Sequence, residues 1–280
     1  MMGSGRHVGS SVGQTSRMSL WRAVLSECVR LRRSPLIALH LACGLIAGIA
    51  CGAYFGVAPW DPRLGSDAFV QLVGALMPLM VAVVCGLDVD GEREASGLAN
   101  LLAVPSRRIA LAARVLVLWL LGVIAVAVAL GSFSAVLGAF GRDGFSAGVY
   151  ARAAVGMAAG SLVLYVVSVW LALALGRNAA IGVGAAGLAC ALFAVGGLAH
   201  GLVTGELTAA SSGVLGYVPF AWAERLGSLL VELGMATGAA LRAVIWQLEV
   251  TSVFALAVTA IALIALLAWV GSFEEGRRGE

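Results

Sequence analysis

Asp88, Asp90 and Glu92 stand at alternate positions in the acidic run Asp88-Val89-Asp90-Gly91-Glu92-Arg93-Glu94. Carboxylates spaced in this way could hold a divalent cation against a diphosphate substrate. That chemistry asks for a second acidic motif across the site, and the sequence has none. The three histidines, His7, His40 and His200, have no serine or acid at a spacing that suggests a nucleophile with its base. Five cysteines (Cys28, Cys43, Cys51, Cys85, Cys190) lie in or beside apolar runs without paired spacing, which argues against a disulfide framework or a metal site. All 18 basic residues are arginine. Without lysine the glycine-rich phosphate loop, which needs one after its glycines, cannot be built. The chain is therefore expected not to be an enzyme and to need no cofactor; if ATP drives it, a partner subunit binds the ATP.

The elements that carry these residues are membrane elements. The chain is 61% hydrophobic and 12% charged, with a mean hydropathy of +0.99, against about 25% charged residues in soluble domains. Crossing a hydrocarbon core takes about 20 apolar residues, and six runs qualify, at about 36–57, 68–87, 109–138, 148–175, 179–203 and 248–271. The expected fold is an all-α integral membrane protein of six transmembrane helices. Residues 1–17 read as a disordered leader, with Met18 as an alternative start; 18–273 form the membrane domain and 274–280 a cytoplasmic tail.

Between Ser19 and Arg33, Leu20, Val24, Cys28 and Leu31 recur at helical spacing among arginines, the pattern of a basic amphipathic helix lying on the membrane surface. The first span carries Gly44, Gly48, Gly52 and Gly56 on one face, a stripe that lets another backbone approach closely, in this chain or in a second one. The second contains Pro78, and the fifth repeats Gly197, Gly201 and Gly205. The connection at about 204–247 holds another amphipathic stretch, about 219–233, where Trp222, Leu226, Leu229, Leu230 and Leu233 fall on one face and Arg225, Ser228 and Glu232 on another. A Trp at its start suits an interface. The spans themselves look nearly free of charge, with Arg114, Arg152 and Glu249 near their ends, which speaks against ion coupling.

Thirteen arginines fall on the side of the termini and of residues 88–108, against five on the other. The positive-inside rule then puts both termini and the acidic segment in the cytoplasm, and residues 204–247 outside.

Gly91-Glu92-Arg93-Glu94-Ala95-Ser96-Gly97, followed by Leu101-Leu102, Pro105-Ser106-Arg107 and Arg114, resembles the first cytoplasmic loop of type 2 ABC transporter permeases. The surface helix before span one, the six spans and the long outer segment extend the resemblance over residues 18–273. It implies that the acidic loop carries a coupling helix, with Glu92, Glu94, Leu98, Leu101 and Leu102 docking on an ABC ATP-binding subunit. It also implies two permease chains, identical or related, in a bacterial cell membrane. Ala95 and Ser96 stand where a threonine often follows the glycine in that family. The size and the stretch Tyr217-Val218-Pro219-Phe220-Ala221-Trp222 are most similar to permeases of lantibiotic self-immunity transporters. The implied cargo is an antimicrobial peptide; another lipophilic substrate or drug, or a non-transport membrane scaffold, are the alternatives. No nucleic-acid partner is expected.

Overall fold

The computed structural model describes residues 18–142, 144–194, 200–210 and 213–273; the leader 1–17, the tail 274–280 and Gly197 lie outside the described residues. In chain order the helices are α1 (Leu20–Leu31), α2 (Leu36–Val57), α3 (Pro62–Ser96), α4 (Ala99–Leu102), α5 (Arg107–Ala139), α6 (Ala147–Ala174), α7 (Arg177–Ala194), α8 (His200–Thr204), α9 (Trp222–Glu232) and α10 (Gly238–Trp269). Among the described residues there is no strand, and six helices, α2, α3, α5, α6, α7 and α10, are long and apolar enough to cross a membrane. Helices satisfy their own backbone groups, which a hydrocarbon interior requires.

Local signals set the helix starts. Asp61 Oδ1 accepts the N–H groups of Arg63 (2.8 Å) and Leu64 (3.2 Å) ahead of α3, with Pro62 at the first position. Ser106 accepts from the N–H of Ile109 at the start of α5. Pro78 sits inside α3 without ending it. At 35 residues, α3 is about 52 Å long, well beyond a hydrocarbon core of about 30 Å. The acidic run expected as a polar interruption after residue 87 is the helical extension of this span, closed by Gly97 at φ +57°. The sixth span also differs from expectation, beginning at Gly238 rather than near 248; residues 195–199, between α7 and α8, lie outside the described residues.

The glycine stripe of α2 is filled by α5 of the same chain. A Cβ on Gly44 would stand 2.6 Å from the carbonyl oxygen of Ala125, one on Gly52 2.9 Å from Val136 Cβ, and one on Gly56 2.6 Å from the Phe140 ring. One on Gly48 would overlap Ser132 and Ala129. This contact is internal and leaves that face unavailable to a second chain. Beside it, Phe69 stacks on Phe133 at 4.2 Å, and Ser66 and Tyr150 share a hydrogen bond of 2.8 Å.

The amphipathic stretch expected on the outer surface is inside the bundle. Trp222 is 1% exposed, Leu226 2%, and Glu224, Arg225, Ser228 and Glu232 are fully enclosed. Two 3₁₀ turns, Val214–Tyr217 and Pro219–Ala221, carry the chain down to α9, which packs between α3 and α6 and against α10. Glycines make the room. A Cβ on Gly160 would meet the Trp222 carbonyl, one on Gly156 that of Leu226, and one on Gly74 the backbone of Glu224. Periodicity revealed two faces on this helix, but both are covered by protein, so Trp222 and Leu226 do not reach a lipid surface.

Candidate functional site: the buried ion network beneath the α3–α5 turn

Asp88 and Glu92 lie one turn apart on the extension of α3 and so share a face. Arg114 of α5 and Arg30 of α1 meet them there. Arg30 pairs with Glu27 at 2.7 Å and with Asp88 at 2.8 Å. Arg114, 1% exposed, pairs with Glu92 and stands 3.7 Å from both Asp88 and Glu27. Two arginines and three carboxylates from three helices thus form one nearly enclosed set. Desolvation weakens the hold of Arg30 on its proton, but the charges of Asp88 and then Glu27 outweigh it, and the group lies above its ordinary value. Such a set is stable only while each charge keeps its partners.

Around this set, the end of α3 is tied to the neighbouring helices. Asp90 pairs with Arg177 at the start of α7 (2.9 Å), and Arg93 donates to the carbonyl of Leu173 on α6 (3.3 Å). Across the turn, Arg107 donates to the carbonyl of Phe273 just beyond α10 (2.9 Å).

The turn itself is sharp. Gly97 and Leu98 are both left-handed, at φ +57° and +61°. A leucine in that region is strained, and its side chain is held there at 0% exposure. Of the residues expected to dock a partner, Leu98 and Leu101 (1% exposed) belong to the main hydrophobic core, Leu102 is half-buried, and Glu92 is buried in the ion network. Only Glu94 of the five is exposed, together with Ala95, Ser96, Gly97, Ala99 and Asn100. With their side chains inward, Leu98 and Leu101 anchor this four-residue helix on the core.

A second polar cluster was not anticipated from the sequence. Asp67 and Gln71, one turn apart on α3, face Ser228 of α9: Ser228 Oγ donates to Asp67 Oδ1 (2.5 Å), and Gln71 Nε2 donates to Asp67 Oδ2 (2.9 Å) and Thr208 Oγ1 (2.8 Å). Glu232 accepts the backbone N–H groups of Ala209 (2.8 Å) and Ala210 (3.2 Å). Arg225 donates to Gln247 Oε1 (2.7 Å) and lies over the Tyr217 ring at 4.3 Å. The available signal was a carboxylate and an amide at i, i+4 in an apolar run, opposite Glu224, Ser228 and Glu232 at strict four-residue spacing. His40 is buried against the Leu36 carbonyl (3.0 Å), and His200 meets Glu206 (3.1 Å) at the surface. Among the described residues no group of three or more His, Cys, Asp or Glu could hold a metal ion.

The family described as ABC-2 family transporter protein matches residues 23–196. No curated protein matches the sequence. The matched stretch is more than half of the chain, starts within α1, and contains every member of the ion network and the whole α3–α5 turn. By that match and by its six apolar helices, the chain belongs to the ABC-2 transporter family, as a multi-pass membrane permease of the ABC type.

Proposed function

We propose that this chain is the non-catalytic permease of an exporter, driven by a separate ABC ATP-binding subunit that docks on the exposed rim Glu94–Asn100. The observation that carries this reading is the mounting of that rim on the buried Glu27–Arg30–Asp88–Glu92–Arg114 set. A push on the turn meets salt bridges to α1 and α5 rather than a loose loop, so it moves whole helices. Glu94 supplies the outward charge, while Glu92 and the buried Leu98 and Leu101 transmit the displacement. The working unit holds two permease chains, identical or related, and lies in a bacterial cell membrane with both termini cytoplasmic. The exposed Leu20, Trp21, Leu25 and Val29 of α1 rest in the lipid interface.

The cargo we propose is a lantibiotic-type antimicrobial peptide, taken from the membrane and expelled. An apolar furrow supports a lipophilic cargo. A cavity of about 160 Å³ bordered by Val163, Leu164 and Phe220 and one of about 350 Å³ bordered by Trp170 and Trp269 share Val167 and Ala262 along α6 and α10. A polar solute would need several fixed hydrogen-bonding groups, and apart from Ser168 and the two indoles these walls are apolar. Expression with its genomic ATPase in a sensitive bacterium is expected to protect against lantibiotics, and the protection is lost when the ATPase is inactivated. Protection against small lipophilic drugs alone would assign another exporter, and none at all would favour a scaffold. Glu94→Arg is expected to weaken ATPase association several-fold with the fold intact; unchanged binding would move the docking surface elsewhere.

Orientation is tested separately. In a cysteine-free background, a cysteine at Val214, which is 85% exposed, is expected to react with an impermeant thiol reagent on intact cells. One at Asn100 is expected to stay unlabelled; the reverse pattern would invert the topology.

A further inference from the structure

Glu224 opens α9 at a depth where Gly74 of α3 touches its backbone. The residue is 0% exposed, and neither carboxyl oxygen has a hydrogen-bond donor among the described residues. Burial, and after it the like charge of Asp67, disfavours its ionised form. Asp67 already has Ser228 and Gln71 as donors; Glu232 is pushed up to about 8 by burial and by the charge of Asp67, offset in part by two backbone N–H groups and the attraction of Arg225. Arg225 is in turn held by Gln247, the Ala209 carbonyl and the Tyr217 ring. Other ionisable groups on the packed elements face elsewhere. Tyr150 of α6 bonds Ser66, Tyr165 lies against Gly122 of α5, and Arg152, Arg242, Glu206 and Glu249 are exposed. A carboxylate stripped of water, given no donor and placed beside a second carboxylate is the least tolerable state a buried acid can have; the neutral acid avoids it.

We propose that Glu224, with Asp67 beside it, is a proton-binding site in the core of the permease, and that the bound proton keeps α9 seated between α3 and α6. The step is the transfer of one proton from a hydronium ion in bulk water to a Glu224 carboxyl oxygen as α9 seats, the hydronium O–H bond breaking as the carboxyl O–H forms, and the proton returns to water when α9 opens. Opening returns the carboxyl to water, where it ionises near pH 4.3. The seated helix therefore binds one more proton than the open one. Its seating is fully favourable below about pH 4.3 and weakens as pH rises, by about tenfold in the opening equilibrium per pH unit until the seated group itself ionises. Ionisable groups buried within a membrane protein commonly mark proton sites, and both carboxylates lie outside the apolar runs read from the sequence.

Two measurements on the full chain in lipid nanodiscs, without any ATPase, test this apart from the transport reading. Infrared spectroscopy at pH 7 is expected to show a protonated carboxylic C=O band that shifts in D₂O and loses intensity in Glu224→Gln. Absence of that band in the unmodified protein, or a band unchanged in Glu224→Gln, overturns the proposal. In a cysteine-free background, the labelling rate of Ala223→Cys, normalised to Val214→Cys, is expected to rise at least about tenfold per pH unit from pH 5.5 to 7.5. Glu224→Gln is expected to lower that slope by about one decade per pH unit, leaving only the share of Glu232. A flat profile in the unmodified background, or a slope unchanged in Glu224→Gln, overturns the role in seating. Stoichiometric binding of sodium or thallium lost in Glu224→Gln, with no acid band, would make this a cation site and also defeat the proposal.

Discussion

Replacing Arg114 by leucine is expected to lower the unfolding free energy of the permease by about 3–5 kcal/mol, the scale of removing one partner from a buried ion pair. Arg114 is the hub of the set: without it, Glu92 loses its cation and the buried Glu27 and Asp88 are left to Arg30 alone. Arg114→Lys should fall in between, because a single ammonium cannot span three carboxylates as a guanidinium can. The double variant Arg114→Leu/Glu92→Leu is expected to recover part of the loss, since Arg30 can still serve Glu27 and Asp88. Denaturant unfolding of the purified chain in nanodiscs gives all three values. A loss below about 1 kcal/mol in Arg114→Leu, the range of exposed pairs, would mean that the network is solvated and does not hold the turn.

The second large effect is steric. Gly48→Ala is expected to destabilise by about 1–3 kcal/mol, the usual cost of overpacking a close contact, although alanine is the better helix former by up to about 1 kcal/mol. The added methyl would overlap Ser132 and the Ala129 carbonyl, and the backbone of α5 cannot yield as a side-chain tip can. Gly182 of α7 and Gly131 of α5 are the controls. Nothing lies within 4 Å of a Cβ at either, so Gly→Ala there should be neutral or mildly stabilising. If Gly48→Ala unfolds at the same denaturant concentration as Gly182→Ala, then α2 does not lie on α5 in the membrane, and its stripe is free for a second chain.

Much of this architecture could be read before any coordinates, because in a bilayer the physics is one-dimensional. A hydrocarbon core of about 30 Å demands runs of about 20 apolar residues, and such runs announce themselves regardless of how they pack. The four-residue glycine stripe is a local signal of the same kind, whereas the caps Asp61 and Ser106 and the closing Gly97 emerged only from the structure. The acidic segment was legible as a charged stretch between apolar runs. Its division into an exposed Glu94 and a buried Glu92 was not, since that depends on Arg114 and Arg30 arriving from distant parts of the sequence.

From the sequence came the six apolar spans; that the acidic run continues the second of them as helix to Ser96 came from the packing. Tertiary structure alone decided what each face touches. The stripe Gly44–Gly56 gave no sign of its partner, and α5 supplied it. The amphipathic period of α9 separated Trp222 and Leu226 from Ser228 and Glu232, yet the period of a helix records only that its faces differ. In water an apolar face implies burial and a polar face exposure. Inside a bundle, a polar face can be buried too when another helix offers Asp67 and Gln71 at matching height. Glycines at 74, 156 and 160 admit the helix to that depth, and no local pattern connects those three positions to residue 224.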